Sequence, residues 1–225
     1  LITRDEKWVG CYRKIPFSIK DKSKEKQDFI LLNTASGNKK SWKDVKSFLF
    51  SKDSRWLILH FYAPSSPDTK KEVEQQTIRE HNLELVSLPS LESFTVNQAK
   101  EFALDSTSTY LASTVKDTSE NTEKLLLTFL KEDPASPKII GRRQAGFTSV
   151  TWNNSKHLLS CVAVETAERQ NNTLALWTPS LNQIEHHSLQ KQISENYYIP
   201  EKNNLSWTGD GQRLFLGLKP LTDLR

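Results

Sequence analysis

Hydrophobic and polar positions alternate along this chain in short runs, and the clearest run is Leu205 to Gly217, LSWTGDGQRLFLG. Leu205 and Trp207 alternate into a Gly-Asp-Gly turn, and Leu214 and Leu216 alternate away from it. Period-two alternation on both sides of an Asp-Gly pair predicts two antiparallel strands joined by a tight turn. The same pattern occurs four more times: ITRDEKWVGCY (Ile2 to Tyr12), SFLFSKDSRWLILHF (Ser47 to Phe61), EFALDSTSTYLASTV (Glu101 to Val115) and VTWNNSKHLLSCV (Val150 to Val162). Copy three has Ser106-Thr107-Ser108 where the turn calls for Asp-Gly, and copy four reads one residue short at Asn153-Asn154-Ser155.

Aligned on the first apolar residue after the turn, the copies fall at Val9, Leu57, Leu111, Leu158 and Leu214, a period of roughly fifty residues. Each interval also holds a third apolar run: Phe29 to Leu32, Leu83 to Val86, Leu125 to Leu127 and Leu174 to Leu176. A turn follows each (TASGN, PSLES, KEDPASP, TPSLNQ) and leads into a short fourth strand. Four short strands per repeat predict an all-β chain, a β-propeller of four-stranded antiparallel blades, partial at both ends. The blades divide as 1–44 (lacking its innermost strand), 45–98, 99–145, 146–202 and 203–225, all within one propeller segment.

In such a blade the hairpin turn and the third-to-fourth turn share one face of the disc. The opposite face carries the longer polar loops Arg13 to Asp28, Ala63 to Asn82, Lys116 to Thr122 and Glu165 to Asn172. Binding usually resides where long loops gather on a rigid scaffold. Lys70 to Arg79 has room for a short helix with a thin apolar face, Val73 and Ile78.

Composition narrows the classes of function. The 225 residues carry a net charge of +4 from 31 basic and 27 acidic side chains, too weak a bias to suggest a nucleic-acid partner. No apolar run approaches the roughly 18 residues of a membrane span. The chain has no methionine and opens in mid-pattern, which reads as a segment of a longer protein. Cys11 and Cys161 lie in strand-like runs and read as small buried hydrophobes. They fall on opposite strand faces in non-adjacent blades, an arrangement unsuited to a disulfide.

The hairpin, in its copies FSKDSRWL (Phe50 to Leu57) and WTGDGQRL (Trp207 to Leu214), resembles the Ser-Pro-Asp-Gly-Lys repeat of TolB-like propellers and of the propeller domain of prolyl oligopeptidase family serine peptidases. LSWTGDGQRLFLGLKP is most similar to the propeller of large bacterial peptidases of that type. The resemblance implies a non-catalytic segment that caps a C-terminal α/β-hydrolase domain of the same parent chain, admits short peptides and excludes folded proteins. It also implies export to the periplasm or the medium. The alternative is a free-standing TolB-like propeller that binds another protein through its long-loop face. The WD signature is absent, which argues against a signalling propeller of that kind.

The nucleophile elbow of such a peptidase, Gly-x-Ser-x-Gly, does not occur among the seven glycines, so no catalytic residue is assigned within the 225 residues. No cofactor or metal is implied: CxxC spacing is missing, His60 and His157 fall in predicted strands, and His186 and His187 point to opposite faces of one strand. A sugar-processing or lyase propeller would need carboxylates or histidines clustered at strand starts, a pattern the chain does not show. Arg142 and Arg143 fall in the connection entering the fourth blade, where a guanidinium pair suits a carboxylate of a peptide or a partner domain. Glu165 and Glu168 suit a peptide amino terminus. For all four, solvated loop residues are the alternative. Trp8, Trp56, Trp152 and Trp207 recur at matching or neighbouring repeat positions and read as core.

Overall fold

The computed structural model describes residues 1–13, 27–62, 81–165, 172–189 and 196–221, and among these there is no α-helix. The chain divides into two compact units, Leu1–Gln98 and Ala99–Arg225.

In the first unit, β1 (Trp8–Arg13), β2 (Asp28–Asn33) and β3 (Lys39–Trp42) form one antiparallel sheet in chain order. An isolated antiparallel bridge, Ile2 with Val9, lies on the free edge of β1. A four-stranded sheet follows, again in chain order: β4 (Val45–Phe50), β5 (Trp56–Phe61), β6 (His81–Ser87) and β7 (Ser93–Asn97). Alternate residues of a strand face opposite sides, so Phe29 and Leu31 of β2 meet Leu57, Leu59 and Phe61 of β5 in one core between the two sheets.

The second unit repeats the plan. The strands β8 (Ala99–Leu104), β9 (Tyr110–Asp117), β10 (Thr122–Phe129) and β11 (Asp133–Arg143) form one sheet. A second sheet holds β12 (Phe147–Asn153), β13 (Leu158–Ala163), β14 (Thr173–Trp177) and β15 (Glu185–His187). After these come β16 (Tyr197–Tyr198), β17 (Ser206–Trp207), β18 (Leu214–Phe215) and β19 (Lys219–Pro220), paired as β17 with β18 and β16 with β19. β13 shows how the sheets stack. Its Leu159, Cys161 and Ala163 enter a core with Leu125, Leu127 and Trp177, while Val162 enters another with Ile199 and Leu205. A strand buried on both faces needs this near-continuous apolar run, LLSCVA.

The hairpin motif has a physical basis in the turn. In copy two, Ser51 Oγ accepts the amides of Arg55 (3.2 Å) and Trp56 (2.9 Å) and donates to Asp53 Oδ1 (2.6 Å). Thr3 and Asp5 repeat the hydroxyl-to-carboxylate bond at 2.7 Å, and Thr208 and Asp210 repeat it in copy five. Copy three inverts the pair. Asp105 accepts the amides of Thr109 (2.7 Å) and Tyr110 (2.8 Å) and the hydroxyl of Thr107, so the Asp-Gly departure leaves the turn chemistry intact. The fourth turn residue is left-handed in these copies, at Glu6 (φ 57°), Ser54 (φ 58°), Ser108 (φ 57°) and Gly211 (φ 66°). Only Gly211 meets that demand without the Cβ penalty.

Register corrects the fourth copy. Trp152 pairs with Leu159 as Phe50 pairs with Leu57, so its turn is full length and the aligned residue is Leu159. Its left-handed residue is His157 (φ 50°), which lies in the turn, not in a strand. Four other expectations change. Cys11 is exposed, while Cys161 is buried, and both are free thiols. Residues 116–122 form a tight turn between β9 and β10 and not a long loop, because Asp117 pairs directly with Thr122. The KEDPASP turn is shorter than expected, since β11 begins at Asp133 and absorbs Pro134 and Pro137 across a register shift on the sheet edge, where proline costs no ladder bond. Arg142 and Arg143 end that strand and do not lie in a connection. The helix expected near Lys70 to Arg79 lies outside the described residues, as do most of loops 13–28 and 63–82 and residues 166–171.

Candidate functional site

The long-loop end of the second unit carries a band of ion pairs. In the β9–β10 turn, Asp117 Oδ1 accepts the amides of Ser119 (3.0 Å) and Glu120 (3.3 Å) and the Ser119 hydroxyl (2.6 Å). It also pairs with Lys124, and these donors together, Lys124 first, hold the Asp117 carboxyl well below the usual aspartate range. The turn fixed in this way presents Glu120 to β11, where Arg142 lies opposite Lys124 and Arg143 opposite Glu123. Arg142 Nη1 donates to Glu120 Oε2 at 2.6 Å, with about half of each side chain exposed.

Arg143 does not share that partner. It forms an ion pair with Glu165, which follows β13, and so ties the β8–β11 sheet to the β12–β15 sheet. Glu165 is held by its own amide, which donates to Asn172 Oδ1 at 2.9 Å, while Asn172 Nδ2 donates to the Ile199 carbonyl at 2.8 Å. The two arginines thus engage different glutamates and do not form a joint clamp for one carboxylate. Glu168 lies outside the described residues.

Glu123 is a residue that the motif search missed. Its buried carboxylate accepts the Phe147 amide at 2.9 Å and pairs with Lys100, which pins the connection between two sheets. A signal for it was present. Thr128 opposes Leu111 and Trp177 opposes Leu159, so Glu123 and Asn172 occupy the same repeat position, and both are buried polar residues reaching the next connection. A buried charge is retained only when paired and hydrogen-bonded in this way.

No group of three His, Cys, Asp or Glu side chains among the described residues is placed to hold a metal ion. His157 Nδ1 lies 3.5 Å from Asp105 Oδ2, but that carboxylate is already occupied by turn amides. The tryptophans serve packing: Trp56 and Trp152 are buried, and Trp152 Nε1 donates to the Ala103 carbonyl at 2.9 Å.

No protein-family model matches the chain, and no curated protein matches it. Among solved structures, a eukaryotic initiation factor aligns with a TM-score of 0.54 at 14% identity, over 86% of this chain and 45% of that one. The β-propeller domain of the Trilobed protease from Pyrococcus furiosus aligns at 0.48 and 9% identity, over 96% and 69%. TolB from Acinetobacter baumannii aligns at 0.48 and 11% identity, over 97% and 50%. The chain spans half or less of the initiation factor and of TolB, and at these identities the likeness concerns fold alone. The chain is all-β, built of the four-stranded antiparallel blades of a β-propeller.

Proposed function

We propose that this chain is a non-catalytic propeller segment of a larger serine peptidase of prolyl oligopeptidase type, which gates peptide access to a hydrolase domain. The observation that carries the reading is the five-copy hairpin. Its Ser/Thr-x-Asp bond is the chemistry behind the Ser-Pro-Asp-Gly resemblance, and LSWTGDGQRLFLGLKP extends that resemblance through β18 and β19. In this role the charged end bearing Arg142, Arg143 and Glu165 contacts short peptides or the hydrolase domain.

The test is the intact mass of the full-length native protein before and after a fluorophosphonate probe. Gain of one probe mass on a parent well above 25.8 kDa supports the reading. A parent that takes no label overturns it.

A second reading, a TolB-like propeller that binds another protein through the same end, is favoured by one observation. Arg142 and Arg143 each pair with a glutamate, so this end carries charges of both signs, with Arg142 and Glu120 half exposed. An unlabelled parent that co-purifies with a stoichiometric partner, lost on Arg142→Glu, supports it.

A further inference from the structure

The second unit has a groove of about 480 Å³ between β11 and the segment leading into β15. It is lined by Ile139, Ile140, Gly141 and Arg142 on one side and by Gln183, Ile184 and His186 on the other. A β-bulge shapes it. Ile139 pairs with Leu126 and Gly141 with Leu125, so Ile140 is the extra residue. Bulges re-aim a strand's side chains; here the Ile140 side chain is buried while its carbonyl accepts the Ile184 amide at 2.8 Å, joining the two walls. Gly141 keeps the walls close, since a Cβ there would meet Phe147 at 2.8 Å and Ile184 at 3.0 Å.

The lining is mixed, with cationic side chains at its rim. Ile140 and Ile184 are buried, and Ile139 is 37% exposed. Arg142 stands at one end of the β11 wall. Lys138 stands at the other, reaching Asn182 at 3.4 Å. His186 stacks on Phe147, with ring centroids 6.5 Å apart, and burial, Arg143 and His187 hold it below the ordinary histidine range. The neighbouring acids are already engaged: Glu120 by Arg142, Glu165 by Arg143, and Glu185 lies 3.9 Å from His187.

We propose that this groove binds an extended acidic peptide segment, with an apolar side chain against Ile139 and a carboxylate on Arg142. Shape and charge both point to that occupant. The volume falls within the several-hundred Å³ range of ligand sites, and the exposed Ile139, between Lys138 and Arg142 along β11, complements alternating apolar and acidic side chains. The Glu120–Arg142 pair does not block it. A half-exposed ion pair is weak and screened by solvent, so a ligand carboxylate can take the place of Glu120 at little cost. The inference rests on Arg142 as a contact residue, as above, and not on a hydrolase domain.

The test is fluorescence anisotropy on the full chain with a fluorescein-labelled, acetylated hexapeptide of alternating leucine and glutamate. The comparison probe has glutamine for glutamate. The expected result is that the glutamate peptide binds about fivefold more tightly, that Arg142→Gln weakens it about threefold and Ile139→Glu at least as much, and that Glu120→Gln tightens it about threefold by releasing Arg142. Tryptophan fluorescence confirms that each variant is folded; the substituted side chains of Arg142, Ile139 and Glu120 are all partly exposed. Absence of binding, equal binding of the glutamine peptide, or an affinity unchanged by both Arg142→Gln and Glu120→Gln overturns the proposal. Because the peptide is titrated into this chain and the fluorophosphonate acts on the parent, failure of either reading is visible separately.

Discussion

The inverted turn of copy three makes a quantitative prediction. In copies one, two and five a hydroxyl at the first turn position bonds a carboxylate at the third; at Asp105 and Thr107 the two groups have changed places. Asp105→Ser removes a buried carboxylate that accepts two backbone amides at 2.7 and 2.8 Å. Hydrogen bonds to charged groups contribute about 1.5–3 kcal/mol each. A serine hydroxyl can still accept the Tyr110 amide, as Ser51 accepts that of Trp56, so the net loss is one such bond plus a weakened second, about 2–3 kcal/mol. Adding Thr107→Asp rebuilds the Ser-x-Asp turn of copy two and should restore stability to within about 1 kcal/mol of the native chain, a coupling of about 1.5–2 kcal/mol in the double-mutant cycle. The assay is urea unfolding followed by tryptophan fluorescence, with hydrogen exchange of a peptide spanning residues 102–112 to localise the effect. If Asp105→Ser costs less than about 0.5 kcal/mol, or if the double variant is as unstable as the sum of the singles, the turn chemistry described above is wrong.

Three further outcomes are expected. Gly146→Ala should lower the melting temperature by several degrees: its φ is +101° and an added Cβ would lie 2.5 Å from the Glu123 carboxylate, a combined strain of about 2–4 kcal/mol. The Asp117 carboxyl, depressed chiefly by Lys124, stays ionised below the ordinary range, so its contribution is complete above about pH 4 and is lost as pH falls through its folded value; Lys124→Gln should move its NMR titration midpoint upward. Thiol labelling under native conditions should modify exposed Cys11 and spare Cys161, whose thiol burial pushes up, with Cys161 reacting only after denaturation; rapid native labelling of both would contradict the packing of β13.

The fold was legible because its determinants are periodic. Apolar alternation at Phe29 and Leu31, at Leu57 and Leu59, and at Leu125 and Leu127 follows directly from a strand with one face against the next sheet, and period two is visible without any partner. Turn chemistry was legible only where its usual residue types stood. Ser51-x-Asp53 announces itself, but Asp105-x-Thr107 hides the same bond because donor and acceptor are exchanged, and the length of copy four was misread because Leu158 and Leu159 are both apolar and only the Trp152–Leu159 register distinguishes them. Cys11 was misplaced for a related reason: its run is strand-like, but in the exposed half of β1 alternation no longer reports burial.

The charged end was legible in residue type and not in pairing. Arg142 and Arg143 are adjacent in sequence and invite a joint role, but pairing depends on what each β11 residue meets across a sheet, and those partners, Glu120 and Glu165, lie 22 residues away in both cases, one upstream and one downstream. Sequence separation of that size carries no local signal. The repeat does carry one, because a polar residue buried at the same position of two blades must find a partner in each. Glu123 and Asn172 satisfy it with opposite chemistry, one accepting an amide and the other donating to a carbonyl, so what the repeat preserves at this position is a buried polar tie to the next connection and not a residue type. By the same logic Arg143, tied across two sheets and less exposed, belongs to the scaffold. Arg142, tied among the described residues to the half-exposed Glu120 of the β9–β10 turn, is the arginine of the pair that a ligand can recruit.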